Sequence, residues 1–183
     1  DRPMPPLTQL GKYIKQTYQL ARFATDLPKL IPSAKVNPAL LLQQRAEKQP
    51  EDLAIAFENQ RFSWRQFNAR ANQFAAFFKA NQIGPGDVVA LMMDNRPDYI
   101  FCVMGLNRVG AIASLINTNL KGDALEHAIE TCGAKHLFLG TEHEATFNES
   151  PAASRADQTT WLHASQNQPD EGRTVNQMIN AMS

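Results

Sequence analysis

Apolar and polar positions alternate along this chain with periods that change several times, and each change marks an element. Between residues 7 and 30, Leu7, Leu10, Ile14, Tyr18, Ala21 and Phe23 recur at roughly helical spacing, with Lys12, Lys15 and Arg22 between them. This predicts a basic amphipathic helix. Such a helix either covers an apolar patch of its own protein or lies in a membrane interface with its cations toward anionic lipid. Pro28 and Pro32 break the pattern and make a linker. Asn37-Pro38 then reads as a helix start, Asn at the N-cap and Pro at the first turn, leading through Leu40, Leu41 and Ala46 to a stop at Pro50. Residues 53–58 and 61–63 are short strand-like runs around Asn59-Gln60, which predicts a hairpin turning there. Ser63 and Gln66 have the spacing of a capping box. The helix they open carries Trp64, Phe67, Ala71, Phe74 and Phe78 on one face, a core stripe, and is expected to stop at Gly84.

From Gly84 the pattern is regular. Gly84-Pro85-Gly86-Asp87 is a turn, 88–93 an apolar run of strand length, and Arg96-Pro97 opens a helix through Ile100, Val103, Met104 and Val109 that closes at Gly110. Residues 111–116 form a second apolar run, 117–122 a polar loop, 123–132 a helix ended by Gly133, and 135–139 a third strand. Strands alternating with helices imply parallel pairing through right-handed crossovers, with strands apolar on both faces. The predicted fold is α/β: a doubly wound, mainly parallel sheet with flanking helices and an N-terminal β-hairpin. Loops 94–96, 117–122 and 140–144 fall at the carboxyl edge, where such sheets bind ligands. Beyond about residue 145 Ser, Asn, Gln, Asp and Pro dominate, and only 175–182 suggests another helix. Three segments follow: a basic arm and linker over 1–36, an α/β subdomain over 37–145, and a polar linker with the start of a helix over 146–183.

Composition narrows the function classes. With 43% apolar and 20% charged residues, and eighteen Lys and Arg against eighteen Asp and Glu, the chain is globular and has no net field to draw nucleic acid. The charge is uneven: residues 1–36 hold six basic against two acidic residues, net +4, and the remainder twelve against sixteen, net −4. Cys102 and Cys132 alone cannot build a disulfide framework or a CxxC site, so a reducing cytoplasmic compartment is expected, with peripheral contact at the inner face of a membrane open to the arm. Gly84-Pro85-Gly86 precedes a strand and lacks the third glycine of a dinucleotide fingerprint, and no Walker-type loop or nucleophile elbow occurs. His127, His136, His143 and His163 have no metal-ligand spacing and read as surface histidines, so no metal is assigned. Asp94 and Asn95 read as loop and helix-cap residues. Asn117, Thr118 and Asn119 follow a buried run at the ligand-binding edge and offer donors and acceptors to a nucleotide or carboxylate, or simply cap their own loop.

Taken in series, Gly84-Pro85-Gly86-Asp87-Val88-Val89-Ala90-Leu91, Asn95-Arg96-Pro97, Gly105-Leu106, Val109-Gly110-Ala111, Leu115-Ile116-Asn117-Thr118-Asn119-Leu120 and Gly133-Ala134-Lys135 resemble the N-terminal region of adenylate-forming acyl-CoA synthetases. Phe62-Ser63-Trp64 and Asn68 follow that family's opening, and the Ile-Asn-Thr-Asn-Leu form resembles its fatty acid transport protein and very-long-chain acyl-CoA synthetase branch. The resemblance, over about 37–140, implies a fragment of an enzyme that uses ATP and Mg²⁺ to convert a fatty acid to an acyl-adenylate and pyrophosphate, then passes the acyl group to CoA. The family's Pro-Lys phosphate loop, acidic ATP motifs and C-terminal lysine do not occur in these residues, so no catalytic residue is expected in them. The loop matching Asn117, Thr118 and Asn119 lies near the CoA nucleotide in related enzymes, and only that location carries over. The hairpin, without its usual partner sequence, is expected to fray or to pair with a second copy as a homodimer. Other readings are a stand-alone nucleotide- or CoA-binding regulatory module, an adenylate-forming ligase for a different carboxylic acid, and a plain interaction domain.

Overall fold

The computed structural model describes residues 37–164 and 174–182. The amphipathic pattern of 7–30 and the 1–36 arm lie outside the described residues. The first described helix, α1 (Pro38–Lys48), starts at its proline, and the Ala39 N–H is met by Asn107 Oδ1 at 3.3 Å. Strands β1 (Leu53–Phe57) and β2 (Gln60–Ser63) pair antiparallel, Ile55 opposite Phe62 and Phe57 opposite Gln60. The turn is therefore Glu58-Asn59, one residue earlier than expected, with Glu58 at φ 49°. Phe62 plants the hairpin edge-on against Phe101 at 5.1 Å.

Helix α2 (Trp64–Ala80) carries the full capping box: Gln66 N–H donates to Ser63 Oγ, and Ser63 N–H to Gln66 Oε1 at 2.9 Å. Phe67, Ala71, Phe74, Phe77 and Phe78 are buried along it. Its stop is not Gly84. Gln82 takes the left-handed conformation at φ 63°, and Ile83 N–H returns to Phe78 O at 2.9 Å, satisfying a terminal carbonyl before the glycine is reached.

The remaining elements are β3 (Val88–Met92), α3 (Pro97–Val109), β4 (Ile112–Leu115), α4 (Gly122–Thr131), β5 (His136–Gly140), a 3₁₀ turn (Thr141–His143), α5 (Glu144–Asn148), a second 3₁₀ turn (Pro151–Ser154), β6 (Thr159–His163) and α6 (Asn176–Asn180). Gly110, at φ 79°, closes α3 as the pattern predicts. The sheet order is β4-β3-β5-β6, all parallel. Its two faces carry separate cores. Val89, Leu91 and Phe138 meet α2 and α3 on one, and Ala90, Met92, Leu137 and Leu139 meet Leu125, Ile129 and Phe147 on the other.

Two expectations need correction. The α/β unit does not end at 145, because residues from Pro38 on form one compact unit and the polar stretch contains β6, a fourth parallel strand. As an edge strand, β6 exposes Thr159 and Thr160 and buries only its end, so no apolar run announced it. For the same reason 111–116 is not a wholly buried run: β4 is the other edge, with Ile112 55% and Leu115 57% exposed. Among the described residues, no helix is long and apolar enough to cross a membrane.

Candidate functional site

After β3 the chain leaves through α3 toward one face of the sheet, and after β5 it leaves through α5 toward the other. Adjacent strands that diverge in this way open a crevice at their carboxyl ends. The loops that border it hold Asp94 and Arg96 on one side and Glu142 and His143 on the other, with His163 at the end of β6. Arg96 Nη1 donates to Glu142 Oε1 at 2.5 Å, and Asp94 N–H donates to the same oxygen at 2.9 Å. Arg96 Nη2 donates to His163 O at 3.1 Å and lies 3.3 Å from His163 Nδ1. His143 Nε2 and Asp94 Oδ1 are 2.9 Å apart.

Burial sets the protonation of this network. It pushes the Glu142 carboxyl up, but hydrogen bonds from Arg96 and the Asp94 amide outweigh that and hold it below the usual value. His163 is 1% exposed; burial, with Arg96 and Arg70 nearby, lowers its pKa to about 4 against the partial opposition of Asp98 and Glu142. The ring is thus neutral at neutral pH. With Nδ1 facing a guanidinium donor, its proton belongs on Nε2. The Glu142 carboxylate folds back over Gly140, where a Cβ would meet its oxygens.

Asp94, Glu142 and His143 each bring a ligand atom within 4.8 Å of the others. They do not fit Mg²⁺. That ion needs oxygen ligands in a near-octahedral set, whereas one of the three ligand atoms is a His143 imidazole nitrogen, only two carboxylates take part, and Glu142 Oε1 is already engaged by a guanidinium and an amide. What the network does is tie three successive carboxyl-edge loops together, with Arg96 as the joint. On the face behind it Asp98, 2% exposed in the first turn of α3, accepts from Arg70 Nη2 at 3.3 Å, and Arg70 reaches on to Asn180 Oδ1 at 2.7 Å.

Asn117, Thr118 and Asn119 follow β4, on the far side of β3 from β5, and their side-chain hydrogen bonds stay local. Asn117 Oδ1 accepts from the Asn119 N–H at 3.0 Å and from Asn119 Nδ2 at 3.2 Å, which is the loop-capping arrangement. Thr118 is half-buried. Pattern reading located the 94–96 and 140–144 loops at the carboxyl edge and took Asp94 and Asn95 as loop and helix-cap residues, whereas the N-cap of α3 is Arg96 and Asp94 bonds His143. It also placed His163 at the surface, where the structure buries it. Charged residues in loops after neighbouring strands were the one available signal.

The AMP-binding enzyme family matches residues 42–181. Over 135 residues, 74% of this chain and 23% of the relative, the sequence is 30% identical to medium/long-chain-fatty-acid–CoA ligase FadD6 of Mycobacterium tuberculosis. Over 111 residues, 60% of this chain and 17% of the relative, it is 35% identical to long-chain fatty acid transport protein 1 of Bos taurus. Among solved structures, the N-terminal domain of FACL13 from Mycobacterium tuberculosis superposes with a TM-score of 0.70 at 24% identity, over 81% of this chain and 37% of that one. The chain thus spans about a quarter or less of the curated relatives' length.

Proposed function

Because the chain belongs to the AMP-binding enzyme family, we propose that it forms the N-terminal part of an ATP-dependent fatty acyl-CoA ligase of the long-chain or very-long-chain class. One observation carries the reading: 30% identity to a medium/long-chain-fatty-acid–CoA ligase over 74% of this chain, on a fold shared with the N-terminal domain of FACL13. In this reaction the carboxylate attacks ATP to give an acyl-adenylate and pyrophosphate, and the CoA thiol then displaces AMP. ATP and Mg²⁺ supply the leaving group and charge neutralisation when bound. Among the described residues the Asp94, Glu142 and His143 cluster does not suit Mg²⁺, and their part in this reading is to shape one wall: Arg96, Glu142 and His163 hold the crevice loops in register. The Asn117, Thr118 and Asn119 loop is proposed to flank CoA, supported by its position at the carboxyl edge and by the Thr118 hydroxyl and Asn117 NH₂, which have no hydrogen-bond partner among the described residues. Peripheral contact of the basic residues 1–36 with anionic membrane, and pairing of two copies, belong to the same reading.

Fatty-acid-dependent pyrophosphate exchange tests it. The complete polypeptide carrying this sequence should exchange with long-chain carboxylates, and the 183-residue chain should not, since stabilising a transferring phosphate needs charged groups it lacks. Exchange by the 183 residues alone, or a complete polypeptide that activates only aromatic or short acids, would refute the reading.

A further inference from the structure

Where α1 packs on α2 and α3, a groove of about 550 Å³ opens to solvent. Its walls are apolar: Leu41, Leu42, Trp64, Phe67, Ile100 and Met104. Leu41 is 51% and Ile100 40% exposed, so large side chains are left in water that the core did not take. Arg45 and Lys48, from the last turn of α1, line the same groove. Arg45 lies 5.7 Å over the Trp64 ring, and neither cation is paired with a carboxylate among the described residues. Glu47 on the same helix is taken by Gln43 Nε2, and Glu51 by Arg65.

We propose that this groove binds a free long-chain carboxylate, its alkyl chain along the Leu41, Ile100 and Met104 wall and its head group on Arg45 and Lys48. Two features select that occupant. The volume is that of a small-molecule pocket rather than a protein interface. Among the described residues its only charges are Arg45, over the Trp64 ring, and Lys48, neither paired with a carboxylate, and together they complement one anionic head at one end of an apolar run. From Leu41 to Lys48 that run is about 10 Å along the helix, enough for part of an alkyl chain and too short for a peptide helix of several turns. The site is separate from the crevice between β3 and β5 and does not rest on the ligase reading; an inactive enzyme could still bind here, and an active one could fail to.

Calorimetric titration of the 183-residue chain with saturated carboxylates from octanoate to stearate, below their micelle concentrations, tests the proposal. Each added methylene should tighten binding about two- to fourfold until the chain outgrows the groove. At equal length the alcohol should bind more weakly than the carboxylate by about tenfold, and the Arg45→Glu/Lys48→Glu variant should lose that preference while keeping its affinity for the alcohol. A brominated fatty acid should quench Trp64 fluorescence, and Trp64→Phe should abolish that quenching. Because the alcohol comparison uses unaltered protein, it holds even if a variant fails to fold. Affinity independent of chain length, a carboxylate preference that survives charge reversal, unquenched Trp64, or binding to anionic phospholipid vesicles without binding to monomeric carboxylate would each overturn it.

Discussion

Replacing Gly105 with Ala should destabilise this protein although it improves the helix. Gly105 sits in the middle of α3 where that helix crosses α2, and a Cβ built on it would lie 2.6 Å from Phe74 Cβ, 3.0 Å from Ala75 N and 3.1 Å from Phe74 C. None of these is the free end of a side chain, so relief requires the two helices to separate. Helix α2 cannot retreat without lifting Phe74, Phe77 and Phe78 off Phe138, all fully buried. Intrinsic propensity favours Ala by about 0.8–1 kcal/mol, while overpacking a closed site costs about 1–3 kcal/mol or more. With backbone atoms in the way the upper end applies, leaving a net loss of about 2 kcal/mol and a fall in Tm of about 4–8 °C. Gly84→Ala is the matched control: nothing lies within 4 Å of its Cβ and its φ is not left-handed, so the same change should stabilise by about 0.4–1 kcal/mol through the unfolded state. Urea denaturation followed by circular dichroism gives both values from one series. If Gly105→Ala proves as stable as the parent, α3 does not meet the α2 backbone at Gly105.

Because the folded His163 pKa is depressed to about 4, the unfolded chain takes up a proton first as pH falls below 6.5. Stability should therefore decline by about 2 kcal/mol between pH 6.5 and 5, and His163→Phe should flatten that slope in pH-dependent denaturation. Arg70→Met strands the buried Asp98 carboxylate and should cost about 3 kcal/mol, most of it recovered by adding Asp98→Asn; additive losses would contradict the pairing. Asn117→Ala removes the acceptor of the Asn119 amide and should cost about 1 kcal/mol or less, with faster hydrogen exchange at that amide; unchanged exchange would contradict the loop cap.

Local chemistry was legible from the chain itself. Ser63 and Gln66 meet as the capping spacing requires, Pro38 and Pro97 open helices, Gly110 ends one in the left-handed conformation, and the apolar runs of β3 and β5 become the doubly covered centre of the sheet. Each depends on neighbours within a few residues, or on a strand buried on both faces. The choice between Gln82 and Gly84 as the stop of α2 was less legible, since a glutamine enters the left-handed region only when packing at Ile83 makes that turn worthwhile. Edge strands were legible least. In β6 solvent satisfies half the side chains, so its pattern is polar, and in β4 the apolar Ile112 and Leu115 face water in spite of their pattern. The crevice was decided by tertiary structure alone. Glu142 and His163 stand 46 and 67 positions from Arg96, and only the order β4-β3-β5-β6 brings their loops together. Strand order is set by which apolar faces cover one another across the whole sheet, and no window along the chain contains that competition.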